Sequence, residues 1–126
     1  VTFKRGNMVT AAFQGDLGKP RPAVILHADE YIDVHETLIL CPLTTYLADS
    51  PNFRPTIAPS AENGLQAISQ IMVDKVTHLR KSAISQVIGR LGDQDMWRLE
   101  AALINITGLR QAILPLPMNE RTGEQQ

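Results

Sequence analysis

Two short apolar runs, RPAVIL at residues 21–26 and TLILCPL at 37–43, constrain this chain more than any other feature. Each has the length of a strand, is bounded by turn-forming residues and is too short to read as a helix. Neighbouring stretches behave alike. NMVTAAF alternates loosely, and RPTIAPS reads as a short edge strand because its prolines have no N–H for a ladder. LQAISQIMVDKV and SAISQVIGRL read as two further strands, with THLRK as the connection between them. After Gly92 the period changes: Met96, Leu99, Leu103 and Ile106 recur at helical spacing beside Ala102, which predicts a helix over about 93–107. Asp93 is the expected N-cap, Asp95 and Glu100 lie toward the positive end, and Gly108 is the expected stop. The fold class is therefore mainly β with a C-terminal helix, in a compact, mostly antiparallel domain over residues 1–110. Residues 111–126 read as an extended arm, ILPLP, and a loose polar tail.

Charge and composition narrow the functions. The net charge of −1 does not announce a nucleic-acid binder, yet the charges are unevenly spread. Residues 1–27 carry Lys4, Arg5, Lys19 and Arg21 against Asp16, and residues 71–92 carry Lys75, Arg80, Lys81 and Arg90 against Asp74. Were these two regions to meet, a basic groove would form, with the four acids of ADEYIDVHE turned elsewhere. No apolar run approaches the ~18–20 residues of a membrane span, and the opening VTFKRGNMV has no secretory apolar core. A single cysteine, Cys41, leaves no intramolecular disulfide and fits a reducing cytoplasm. His27, His35 and His78 show no metal-site spacing and read as ordinary histidines, though His78 follows Asp74 within reach of such a groove. Alternation places His27 on a strand face with Arg21, Ala23 and Ile25, but roughly 20 Å from Arg21. Trp97 and the helix aliphatics read as core.

Arg21 is the most pointed candidate. It stands between Pro20 and Pro22, whose rings hold the backbone near extended geometry, so its guanidinium projects from a stiff support. By itself that also describes a solvated loop arginine.

The order of motifs supplies the context. KRGNMV, GKPRPAVIL, LILCPLTT and SQIMVDKV, followed by a strand and a helix, resemble the MazF/PemK/Kid ribonucleases, the toxins of bacterial toxin–antitoxin modules. The resemblance runs from about Lys4 to Leu109. It implies an SH3-like small barrel that forms a homodimer and a metal-independent endoribonuclease without cofactor, acting on single-stranded RNA. It also implies a cognate antitoxin whose tail covers the active groove, the pair binding DNA. The implied reaction is attack of the RNA's own 2′-hydroxyl on phosphorus, leaving a 2′,3′-cyclic phosphate and a 5′-hydroxyl. Arg21 matches the family's Arg-Pro arginine and Thr44 its strand-end threonine, both as catalytic groups that stabilise phosphoryl charge. Asp16, Lys19, Thr45, Asp74 and Lys75 are the further candidates for catalysis or RNA binding. Asp74-Lys75 stands where the family has Asp-Gln. Met72 replaces an arginine on which some members rely, which puts that version of the mechanism in doubt.

Two other readings stay open. One is a gyrase poison like CcdB, whose branch carries a Trp-Gly-Ile element near its C terminus; the one tryptophan here lies early in the helix. The other is an inert relative that only binds an antitoxin.

Overall fold

The computed structural model describes residues 2–16, 19–50 and 52–113, and the arm and tail expected beyond 113 lie outside them. Among the described residues seven strands form one curled antiparallel sheet: β1 (Asn7–Ala12), β2 (Pro20–Ile25), β3 (Thr37–Thr44), β4 (Thr56–Ile57), β5 (Ser69–Ile71), β6 (Thr77–Arg80) and β7 (Ile84–Arg90). The order is β4-β5-β3-β2-β1-β7, with β6 also pairing β3. Helix α1 (Asp29–Ile32) links β2 to β3, and α2 (Asp93–Thr107) with the short α3 (Arg110–Ile113) follows the sheet. β3 holds three partners by changing them along its length. Its first half lies against β6 in the register Ile39↔His78, and its last residues lie against β5 in the register Thr44↔Gln70. β2 runs along its other edge. The change of partner comes around Pro42, which has no N–H to give. Register shifts between β1 and β7 at Met8/Val9 and Thr10/Ala11 are bulges, and bulges add twist that curls a sheet.

Side chains on both faces of the sheet contribute to buried cores. Val9, Ala11, Ala23, Ile25, Leu38 and Leu40 pack together with Phe3, Ile32 and Ile84. Met8, Val24, Leu26, Cys41 and Leu43 point the other way and pack with Ile71, Val73, Leu91 and, from α2, Leu99 and Ala102. Consecutive residues of β2 thus enter opposite cores, as do Leu40 and Cys41 of β3, which is why these stretches are apolar without alternation, whereas Ile39 is exposed. Burial also pushes the Cys41 thiol up to about 12, with the Asp74 carboxylate adding to it, so the thiol is an inert packing group.

Several expectations need correction. THLRK, read as a connection, is mostly β6, while the long strand read in LQAISQIMVDKV is only Ser69–Ile71 followed by a 3-10 turn at Val73–Lys75. The short β6 escapes because its residues are mostly exposed and carry little apolar signal. The acidic stretch ADEYIDVHE contains the short helix α1. Gly92, not Asp93, is the N-cap of α2, and no side chain caps it; Asp93 is its first helical residue. Trp97 is 69% exposed, not core. The arm expected from residue 111 begins inside α3. Gly108 does end α2, in the left-handed region at φ 71°.

β2 also stops short of His27. Leu26 and His27 both donate their N–H to Ile39 O, at 2.9 and 3.1 Å, which breaks the alternation that would have aligned His27 with Arg21. His27 Nδ1 accepts from Ile39 N–H at 3.1 Å, so its proton sits on Nε2 and is donated to His35 Nδ1 at 2.8 Å. Tyr31 stacks on His35. Burial, with His35 and Lys81 nearby, lowers the His27 pKa. An imidazole held neutral in the fold but free to protonate in the unfolded chain contributes stability that is full at high pH. That stability is lost as pH falls through the unfolded value of about 6.5. Stability should therefore decline between pH 7 and 5, and His27→Gln should flatten the decline when urea midpoints are compared across that range.

A tight approach locks β7 to the turn before β5. A Cβ on Gly64, at φ +71°, would stand 2.2 Å from Ile88 O, and one on Gly89 would stand 2.4 Å from Glu62 O. Gly64→Ala should thus cost about 1–3 kcal/mol in urea unfolding; an unchanged midpoint would mean that the turn gives way freely.

Candidate active site

The turn before β2 and the first residues of that strand place Arg21. Its prolines pair into the β1 ladder, Pro20 with Ala12 and Pro22 with Thr10, and Arg21 itself sits opposite Ala11. The side chain is then held on its flank. Nε donates to Asp16 Oδ2 at 2.8 Å and Nη2 to Asp16 Oδ1 at 3.0 Å, a side-on bidentate pair. Nη1 reaches Leu43 O at 3.4 Å, which sets the guanidinium beside the end of β3. Three of its five N–H groups are so engaged, and two remain for a ligand. Asp16 is itself set by local turns, donating its N–H to Phe13 O and accepting from Lys19 N–H.

Two adjoining hollows share this pair. One, of about 490 Å³, is walled by Asp16, Arg21, Met72, Lys75, Thr77 and His78. The other, of about 340 Å³, is walled by Asp16, Lys19, Arg21, Leu43, Thr44 and Thr45. The cations Lys19, Arg21 and Lys75 thus face one carboxylate, Asp16, so the combined groove favours an anion. The meeting of the two basic regions seen in the sequence is real for these residues. Of the others, Arg5 pairs with Glu100, and Arg90 with Glu62 and Asp93.

The Thr44 hydroxyl accepts the Tyr46 N–H at 3.1 Å. A hydroxyl that accepts from the backbone keeps its own proton to donate, so Thr44 can still serve an anion in the groove. Thr45, next to it, is exposed.

Asp74 is not brought to this groove. Arg54 holds it side-on, Nε to Oδ1 at 3.0 Å and Nη2 to Oδ2 at 3.1 Å, and that hydrogen bonding keeps its carboxyl below the ordinary range. The pair ties the 3-10 turn to the segment before β4, where Val73 N–H also reaches Phe53 O. Its neighbour Lys75 faces the groove instead, since adjacent residues of a tight turn diverge. Sequence reading undervalued His78: it lies on β6, and the strand that carries it to the groove was taken for a loop. Among the described residues no cluster of three histidine, cysteine or carboxylate side chains is placed to hold a metal ion, and no helix is long and apolar enough to cross a membrane.

Comparison with known proteins gives the family and the fold. A family model for the PemK-like, MazF-like toxin of type II toxin–antitoxin systems matches residues 4–107. A probable endoribonuclease MazF of Mycolicibacterium smegmatis is 37% identical over 108 residues, which are 85% of this chain and 98% of the relative. An endoribonuclease from a mycobacterial species, solved with its cognate antitoxin, superposes with a TM-score of 0.72 at 20% identity, covering 92% of this chain and all of that one. MazF of Deinococcus radiodurans gives a TM-score of 0.72 at 19% identity, over 86% of this chain and 98% of its own. At such identities the two structures speak for the fold.

The Arg54–Asp74 pair yields a prediction. Asp74 has a lowered folded pKa, so its contribution to stability is full above the unfolded carboxyl value and is lost as pH falls through the folded one. Asp74→Asn should cost about 1–2 kcal/mol at pH 7 in urea unfolding, and the deficit should shrink on acidification toward pH 3.

Proposed function

We propose a reaction for this chain, which belongs to the PemK-like, MazF-like toxin family of type II toxin–antitoxin systems: it is an endoribonuclease that cuts single-stranded RNA without a metal ion. The observation that carries the reading is Arg21, held side-on by Asp16 with donors left free between the two hollows. The 2′-oxygen of one nucleotide loses its proton and bonds to the adjacent phosphorus. The bond from phosphorus to the 5′-oxygen breaks, and that oxygen takes up a proton. The products are a 2′,3′-cyclic phosphate and a 5′-hydroxyl. Negative charge grows on the non-bridging oxygens during the attack, and donors fixed in advance stabilise it without reorganising. Arg21 supplies a permanent charge and planar donors, and Thr44 supplies a hydroxyl proton. Arginine is too weak an acid to relay protons at neutral pH. Asp16 is committed to Arg21, so it serves as a positioning group. His78 is the imidazole facing this groove among the described residues and takes the proton-transfer role. Lys19, Lys75 and Thr45 hold the neighbouring phosphates along the strand.

The family and the solved relative bound to its antitoxin support two partners for this chain, a second copy of itself and a cognate antitoxin. An RNA substrate and a buried free thiol fit the cytoplasm as the place of action.

Incubation with mixed-sequence single-stranded RNA in EDTA tests the reading. The protein should release fragments with cyclic-phosphate and 5′-hydroxyl ends. Arg21→Ala and Thr44→Ala should each slow this about 10²–10³-fold. His78→Gln should slow it about 10²–10⁴-fold. Intact RNA with folded protein would reject the nuclease in favour of a binding toxin.

A further inference from the structure

The side chain of Gln70 is buried, 5% exposed. It sits on β5, its backbone opposite Thr44 in the ladder, and its side chain turns toward the loop that leaves β3. There both ends of the amide are used. Ala48 N–H donates to Oε1 at 2.9 Å, and Nε2 donates to Ala48 O at 2.9 Å and to Thr56 Oγ1 at 3.3 Å. The amide thus reads the backbone of Ala48 as a neighbouring strand would, where no strand lies. Two residues earlier in the same loop, Tyr46 N–H is bonded to Thr44 Oγ1. The segment from Thr44 to Ala48 is therefore closed at two points, by the threonine hydroxyl and by the glutamine amide. Tyr46 and Leu47 between them are 74% and 50% exposed, so packing gives this loop little hold of its own.

We propose that Gln70 is a positioning residue for Thr44: by clamping Ala48 it holds Tyr46 N–H on the threonine oxygen and so leaves the hydroxyl proton directed to the groove. The chain of cause is short. With the clamp gone, the loop moves and Tyr46 N–H leaves the hydroxyl. The hydroxyl then rotates among staggered positions and to other acceptors. A donor that is no longer fixed must be reoriented during the reaction, which raises the barrier without altering how the rest of the strand binds. Gln70 touches neither substrate nor reacting atoms. The proposal takes the role of Thr44 from the nuclease reading above.

Gln70→Met, which keeps the volume and removes the amide, tests it in two ways. By amide hydrogen exchange on the free protein, the variant should lose protection at Ala48 and at Tyr46 together, while the core strands keep theirs. Retained protection at Tyr46 would overturn the proposal whatever the enzyme does. Should the variant not fold, the wild-type protein still decides: Tyr46 and Ala48 amides should open with the same denaturant dependence, and separate opening would reject the coupling. In RNA cleavage, Gln70→Met should lower kcat about 10–100-fold with KM little changed, and Thr44→Ala/Gln70→Met should be no slower than Thr44→Ala. Losses that multiply would show that Gln70 acts by another route. A wild-type protein that leaves RNA intact would refute the nuclease reading, and the exchange experiment would still decide whether Gln70 holds the Thr44 hydroxyl.

Discussion

β3 is the constraint on which the rest of the structure depends. It pairs with β2 at Leu40–Pro42 on one edge and with β6 and then β5 on the other, and its side chains enter both cores. A strand so used cannot be shifted by one residue, because the shift would turn one core's side chains into the other. Its end is fixed for the same reason. Leu43 O and the Thr44 hydroxyl, which meet the groove there, inherit that rigidity.

The groove is built from flanking contacts that leave its working atoms free. Arg21 is braced by a carboxylate along one side and by proline on both neighbouring positions, so its remaining donors point from a stiff base. The brace also settles a question of charge. Three cations face the groove, and one carboxylate among them offsets their mutual repulsion while leaving a net pull on an anion. Thr44 follows the same logic on a smaller scale: the backbone occupies its lone pair and spares its proton. In both cases the fold engages one half of the functional group and leaves the other half free for a ligand.

The two aspartates show why sequence proximity misleads at such a site. Asp16 and Asp74 each lie near a motif residue, and each forms a side-on pair with an arginine. The partner of Asp16 faces the groove, whereas the partner of Asp74 is Arg54, twenty residues away in sequence, and that pair closes a turn. The Lys75 side chain then faces the groove that its neighbour Asp74 does not line.

Much of this protein was legible in one dimension. Apolar runs of strand length, a single helical period after Gly92 and a stiff arginine between prolines are local properties, set by side-chain size and backbone sterics, and they read out as the β sheet, α2 and Arg21. Boundaries followed where glycine acts locally, as at Gly108. The short, mostly exposed β6 was lost because a strand that buries few side chains leaves no apolar period, and with it went the placement of His78. Trp97 was misplaced because helical spacing states which residues share a face, not whether anything covers it. The partner of Asp74, the use of Gln70 to hold Ala48 and the pairing of His27 with His35 belong to the tertiary structure alone. Each joins polar groups through hydrogen bonds whose distance and angle exist only after the sheet has curled, and no pattern of hydrophobicity along the chain records them.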